Sequence, residues 1–116
     1  MTPNVIFFGW NRPIPGRERT SAAHFQEFAQ YLGGLREKGT IQSFDVVLLD
    51  AHGGDMNGFF LVRGESGKLA ELAASADWAT HMVRAGLHLQ GAGAVFGAAG
   101  DAAMEREKLW ASLLPA

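Results

Sequence analysis

Four histidines, at positions 24, 52, 81 and 88, are the residues of this 116-residue chain best suited to chemistry near neutral pH. His24 falls in the expected first turn of a helix, beside an apolar stripe. A helix N-terminus disfavours a cation, so this ring is expected to be neutral and able to act as a base at a cavity rim. The plainer alternative is a boundary residue with a satisfied ring. His52 lies two residues beyond Asp50, so both side chains leave one face if the strand persists that far. A carboxylate there would raise the pKa of the histidine and orient its ring. Its alternative is a solvated loop residue, since Gly53 and Gly54 follow it. His24 and His52 are therefore the candidate catalytic residues. His52 and Asp55 offer two metal ligands with no third at fixed spacing, so no metal site is expected.

Trp10 and Arg12 frame the end of an apolar run, where an aromatic ring and a guanidinium can hold an aromatic or anionic ligand. With Phe25, Phe28, Tyr31 and Asp50 they make up the candidate ligand-binding set. Packing and loop capping are the alternatives for Trp10 and Arg12. Asp77, His81, Arg84 and His88 form a polar stripe at helical spacing, which reads as the solvated side of an amphipathic helix. Gly33-Gly34 and Gly53-Gly54 lack the strand-to-helix glycine spacing of a phosphate loop.

The elements that must position these residues follow from apolar periodicity. Val5–Trp10 is a continuous run of strand length, closed by the loop Asn11–Gly16 with its two prolines. Thr20 or Ser21 is the expected cap of a first helix carrying Phe25, Phe28, Leu32 and Leu35, which ends at Lys38-Gly39. Phe44–Leu49 and Phe59–Val62 flank a glycine-rich turn and read as a hairpin. A second helical region opens at Ser66, is interrupted near Ser75-Ala76-Asp77, and carries Trp78, Met82, Ala85 and Leu89 on one face until Gly91. Ala92–Ala99 is a small-residue strand. Asp101 is the expected cap of a last helix with Trp110 and Leu114 among its packing residues.

Bulk properties bound the function. The length suits a single domain, residues 1–116, with one core. Charged residues are 19% against a usual ~25%, which suggests surface covered by a partner. Net charge is −2 with no basic stripe, so no nucleic-acid partner is expected. The absence of cysteine excludes disulfides, thiolate metal sites and a cysteine nucleophile. No apolar run approaches the ~20 residues of a membrane span, and the N-terminal residues do not resemble a signal peptide. A cytoplasmic location is the default expectation.

The order β-α-β-β-α-β with right-handed crossovers places both helices on one sheet face, the α+β arrangement called ferredoxin-like. The strands are apolar on both faces, so the second face needs a cover. A second copy of the chain supplies it with one self-complementary surface, and docking of the C-terminal helix is the alternative. This wiring gathers Trp10, Asn11, Arg12, His24, Asp50, His52, Asp55 and His88 at one edge of the sheet.

Element order, size and two-faced strands make the chain resemble the dimeric α/β-barrel superfamily. That group includes antibiotic-biosynthesis-type monooxygenases and muconolactone-isomerase-like and YciI-like proteins. Ser75-Ala76-Asp77-Trp78-Ala79-Thr80-His81 is similar to the group's S-x-x-W-x-x-H stretch. The Asn and Trp constellation of the monooxygenases and the His-Asp signature of YciI-like proteins do not transfer residue by residue. The resemblance implies a homodimer that binds a small organic molecule. It is compatible with a cofactor-independent oxygenase or isomerase acting on an aromatic or lactone-like compound. A non-catalytic dimeric module is the alternative, and it requires a filled interior. Haem binding, which the resemblance allows, needs a histidine aimed into a pocket. No cofactor is expected.

Overall fold

The computed structural model describes residues 2–116, and Met1 lies outside them. In chain order the elements are β1 (Val5–Trp10), β2 (Arg12–Pro13), α1 (Glu18–Glu37), β3 (Ser43–Leu48), β4 (Gly58–Arg63), α2 (Ser66–Ala73), α3 (Ala76–His88), β5 (Leu89–Gln90), β6 (Gly93–Gly97) and α4 (Asp101–Ser112). The result is an α+β fold built on one four-stranded sheet in the order β3-β4-β1-β6, each neighbour antiparallel to the next.

Register decides which side chains share a face, because residues directly opposite in a ladder point the same way. Ile6 lies opposite Val62 and Phe96, and Phe8 opposite Phe60 and Ala94. Ile6, Phe8, Phe60 and Val62 are buried with Phe28 and Leu32 of α1, Leu69 and Leu72 of α2, and Trp78 and Ala85 of α3. Each such side chain contributes about 1.5–3 kcal/mol relative to exposure. The other face carries Phe7 opposite Leu61 and Val95, and Phe59 opposite Val47. Phe7, Phe59, Leu61 and Val47 are only half-buried, and Val95 is exposed.

Local chemistry sets the helix limits. α1 starts at Glu18, whose carboxylate accepts the Gly16 N–H at 2.8 and 2.9 Å and fixes the turn before the helix. The expected cap at Thr20 or Ser21 is therefore corrected: the helix begins before them, and His24 sits in its second turn. The interruption near Ser75 is a true break. Ser75 Oγ donates to the Leu72 carbonyl at 2.7 Å and accepts the Trp78 N–H at 3.2 Å, so it closes α2 and caps α3. α3 stops at His88 rather than at Gly91, because Leu89 and Gln90 leave in extended conformation to pair with Pro13 and Arg12. That two-residue ribbon was not evident in the sequence.

α4 follows Gly100 without a side-chain cap, so Asp101 is its first residue and not its cap. The Asn4 carboxamide grips the preceding Ala99 from both sides, accepting its N–H at 2.8 Å and donating to its carbonyl at 3.0 Å. Beyond that anchor α4 buries none of its residues, and Trp110 and Leu114 are exposed within this chain. The expected packing role of those two side chains is not met by the chain's own core. No helix among the described residues is long and apolar enough to cross a membrane.

Leu32 is fully buried, whereas Val83 is 66% exposed on α3. Leu32→Ala is expected to cost about 2–5 kcal/mol in urea unfolding, and Val83→Ala less than about 0.5 kcal/mol.

Candidate functional site

A cavity of about 310 Å³ lies between α1 and the helix-bearing face of the sheet. Its walls are mainly Phe8, Trp10, Phe25, Phe28 and Phe60, with Leu48 at the rim. Pro13 and Leu89 of the short ribbon, with Ala22 and Ala85, complete the apolar lining. A space of this size with few polar groups suits a small organic molecule. Glu18, Ser21, His24 and His88 are the polar side chains that reach it.

Three of those belong to a continuous chain of hydrogen bonds. Ser21 Oγ lies 2.6 Å from His88 Nδ1, His88 Nε2 lies 2.7 Å from His24 Nδ1, and His24 Nε2 lies 3.0 Å from His81 Nδ1. Ser21, His24 and His88 are buried, and His81 is half-buried. The His24 and His81 rings are parallel within 8° at 5.3 Å, and the His24 and His88 rings are nearly perpendicular. Tyr31 stands over His81 with ring centroids 4.5 Å apart.

Helical spacing creates this row. Ser21 and His24 are three apart on α1, and His81 and His88 are seven apart on α3, so each pair shares one helix face. The two faces meet where α1 packs on α3. The ribbon then locks the end of α3: the His88 carbonyl accepts the Ile14 N–H at 2.8 Å, and the Arg17 guanidinium donates to the Leu87 carbonyl.

The row is electrically neutral near pH 7. Burial lowers the His24 pKa to about 4, assisted by the cations of Arg84 and by the neighbouring rings, with only Glu27 opposing. Burial and Arg84 lower His81, with Glu27 and Asp77 opposing; burial, Arg84 and Arg17 lower His88. Arg84 is itself held beside the row by Glu27 at 2.6 Å. His24 had been expected to be neutral because of the helix terminus; the dominant cause is loss of water.

Neutral imidazole has one N–H and one lone pair, so each contact in the row holds a single hydrogen. Two polarities satisfy that condition. In one, Ser21 donates to His88, His88 to His24, and His24 to His81. In the other every bond reverses, and the Ser21 hydroxyl is left with the His88 carbonyl at 3.4 Å. The 2.6 Å contact between Ser21 and His88 is kept in both polarities, and only the first makes His88 Nδ1 the acceptor of the serine proton.

The sequence-derived candidates divide. Trp10, His24, Phe25 and Phe28 meet around the cavity. Tyr31 stands at the far end of the histidine row, in the groove between α1 and α2. Arg12 is exposed and donates to Gln90 Oε1 at 3.1 Å. Asp50 and His52 lie in the exposed segment between β3 and β4, where His52 Nδ1 bonds the Asp50 carbonyl at 2.9 Å and not its carboxylate. They do not line the cavity. Ser21, His81 and His88 were not among the candidate site residues. The polar stripe on α3 is corrected accordingly: His88 is 3% exposed and His81 faces α1, while Asp77 alone of the four is exposed.

No group of three or more histidine or acidic residues among the described residues could hold a metal ion. Both ring nitrogens of His24 and of His88 are engaged, so neither offers a free axial ligand to haem iron. Comparison with protein-family models, with curated proteins and with solved structures finds no match to this chain.

The depressed histidine pKa values imply a stability that depends on pH. Above the unfolded value of 6.5 both states carry neutral rings, and the stabilisation is complete. As the pH falls from 6.5 toward 4, the unfolded chain binds protons that folded His24 refuses, and stability is lost. Each unit of depression corresponds to about 1.4 kcal/mol. Urea unfolding is expected to show a lower stability at pH 5.0 than at pH 7.5, with a shallower pH dependence in His24→Asn.

Proposed function

We propose that this chain binds a small, largely apolar compound, aromatic or lactone-like, in the cavity beside α1. We propose further that it transfers a proton on that compound, as a cofactor-independent isomerase does. The observation that carries this reading is the meeting of two features in one place. The walls are aromatic, and the polar end is a buried, neutral chain of Ser21, His88 and His24. Neutral imidazole is the form that accepts a proton, and burial makes the contact electrostatically strong. An oxygenase is favoured less, because the row arranges proton donors and acceptors. The cavity also weighs against a non-catalytic module, which would call for a filled interior.

The test uses coumarin and 1-naphthol as probes of the cavity. One or both should raise the melting temperature by several degrees at a concentration well above the dissociation constant. Ala22→Trp, which places bulk at the exposed rim, should abolish the shift without lowering the melting temperature of the free protein. The reading fails if neither probe stabilises the wild type.

We infer also that the fold is ferredoxin-like and works as a homodimer, in the manner of a dimeric α/β barrel. The strand order and the antiparallel neighbours support the first part. The half-buried Phe7, Phe59, Leu61 and Val47 and the exposed Val95 support the second, since they form one apolar surface on the face without a helical core. Met104, Leu109, Trp110 and Leu113 on and after α4 add apolar surface that the chain itself does not cover. Sedimentation velocity at micromolar concentration should give a dimer, and Leu61→Lys should give a folded monomer. A wild type that sediments as a folded monomer would sink this part of the proposal.

A further inference from the structure

We propose that Ser21 is a nucleophile, and that the cavity takes a neutral carboxylic ester or lactone whose acyl group is transferred to it. The proposal rests on the cavity reading above and adds a covalent step to it.

An unassisted serine hydroxyl is a weak nucleophile and needs an adjacent base that is itself held by a third group. All three parts are present. Ser21 Oγ is 2.6 Å from His88 Nδ1, and His88 Nε2 is 2.7 Å from His24 Nδ1. In the polarity the proposal uses, the serine proton lies on the bond to His88 and the His88 Nε2–H on the bond to His24. His88 is then a base poised at the serine. His24 is a positioning residue that fixes the His88 tautomer and shares the charge His88 acquires. Arg17 and the Ile14 N–H hold the carbonyls of Leu87 and His88, so the backbone that carries the base is anchored.

The lining selects the substrate class. Glu18 is the one charged residue in it, and its carboxylate is committed to the Gly16 N–H. Among the described residues no cation lines the cavity to hold a carboxylate or phosphate. A neutral molecule with an electrophilic carbon and an aryl or short alkyl group meets both constraints. Phe25, Phe28 and Phe60 provide the apolar contact for that group.

The step balances without a redox partner. Ser21 Oγ forms a bond to the carbonyl carbon while its proton passes to His88 Nδ1. The bond from that carbon to the alcohol oxygen breaks, and the same proton leaves with the alcohol. Water then attacks the acyl carbon, giving its proton to His88, and Ser21 recovers a proton as the carboxylic acid departs. The sum is ester and water to acid and alcohol. For a lactone the acid and alcohol are one molecule.

A small alkyl fluorophosphonate and p-nitrophenyl butyrate test this in the full-length chain. The fluorophosphonate should add once per chain, and peptide mapping should place the adduct on Ser21. Ser21→Ala should abolish the adduct and the release of p-nitrophenol. His88→Asn should slow labelling by roughly 10²-fold or more while leaving the fold intact by circular dichroism. His24→Asn should retain labelling but move its pH profile, which a purely structural residue would not do.

Coumarin or 1-naphthol stabilisation of a wild type that takes no label at Ser21 would overturn the nucleophile and leave the binding proposal standing. Label at another serine, or an unchanged rate in folded His88→Asn, would also overturn it. Label at Ser21 without stabilisation by either probe would support the nucleophile and count against the cavity ligand proposed above.

Discussion

The row of hydrogen bonds from Ser21 through His88 and His24 to His81 is the interaction on which the geometry of the site depends. Three of its four side chains are buried between α1 and α3. A buried polar group without a partner costs about 1–3 kcal/mol, so each ring is bound to its neighbour's position. Sliding α3 along α1 by one turn, about 5.4 Å, would break every bond in the row at once. Apolar contacts such as Phe28 on Trp78 and His81 tolerate such slippage far better, since dispersion is not directional. The row therefore sets the register of the two helices, and the helices in turn set the cavity. Every buried side-chain nitrogen and oxygen among the described residues has a partner.

Neutrality follows from the same burial. A charged ring in the row would lose its water and face Arg84 and Arg17, so protonation is opposed by desolvation and by like charge together. Glu27 offsets this only partly, because it is paired with Arg84 at the surface. A row of neutral imidazoles can accept a proton at one end and reverse its polarity, whereas a row holding a trapped cation would resist both. The short ribbon of Arg12–Pro13 on Leu89–Gln90 completes the arrangement. It ends α3 at His88 and brings Pro13 and Leu89 to the cavity wall, so one local pairing fixes both His88 and the wall beside it.

The strands were legible in the sequence because they are runs of β-branched and aromatic residues bounded by turn formers. Phe44–Leu49 and Phe59–Val62 fall within a residue of β3 and β4. The break at Ser75 was legible for a chemical reason, since serine competes with the helix for backbone partners. The site was legible in part. Trp10, His24, Phe25 and Phe28 were singled out and line the cavity. His88 falls at the same expected sheet edge as His24, but polarity puts it, with His81, in a stripe that reads as solvated. Trp78, Met82, Ala85 and Leu89 make an apolar stripe with steps of four, three and four. Trp78, His81, Ala85 and His88 make an equally regular stripe with steps of three, four and three, and this one carries the buried positions. Residue type argued for the solvent side while periodicity was neutral, and only α1 supplies the partners that make burial affordable. His52 would share a face with Asp50 only if β3 persisted past Asp50, and the strand ends at Leu48.

The two faces of the sheet differ in what covers them, and Gly9 shows how the second is shaped. Its register places it on the face away from the helical core, between Phe59 and Gly93. A side chain there would meet Phe7 Cε1 at 2.6 Å and Met56 Sδ at 2.8 Å. The missing side chain lets Phe7 and Met56 lie down over the strand, and Phe7 reach Phe59 with ring centroids 4.9 Å apart. The apolar surface is thereby flattened across the two central strands. At one border Arg63 and Asp45 pair at 2.5 Å, so the patch is bounded by charge rather than continuing along the sheet. A flat apolar centre with a charged margin matches the general anatomy of protein interfaces, and it is the ground for the homodimer proposed above. The cavity, by contrast, is roofed by α1 and lined from within one chain. Covering the open face would therefore add apolar contact to the sheet that carries Phe8, Trp10 and Phe60 without altering the lining of the cavity on its other side.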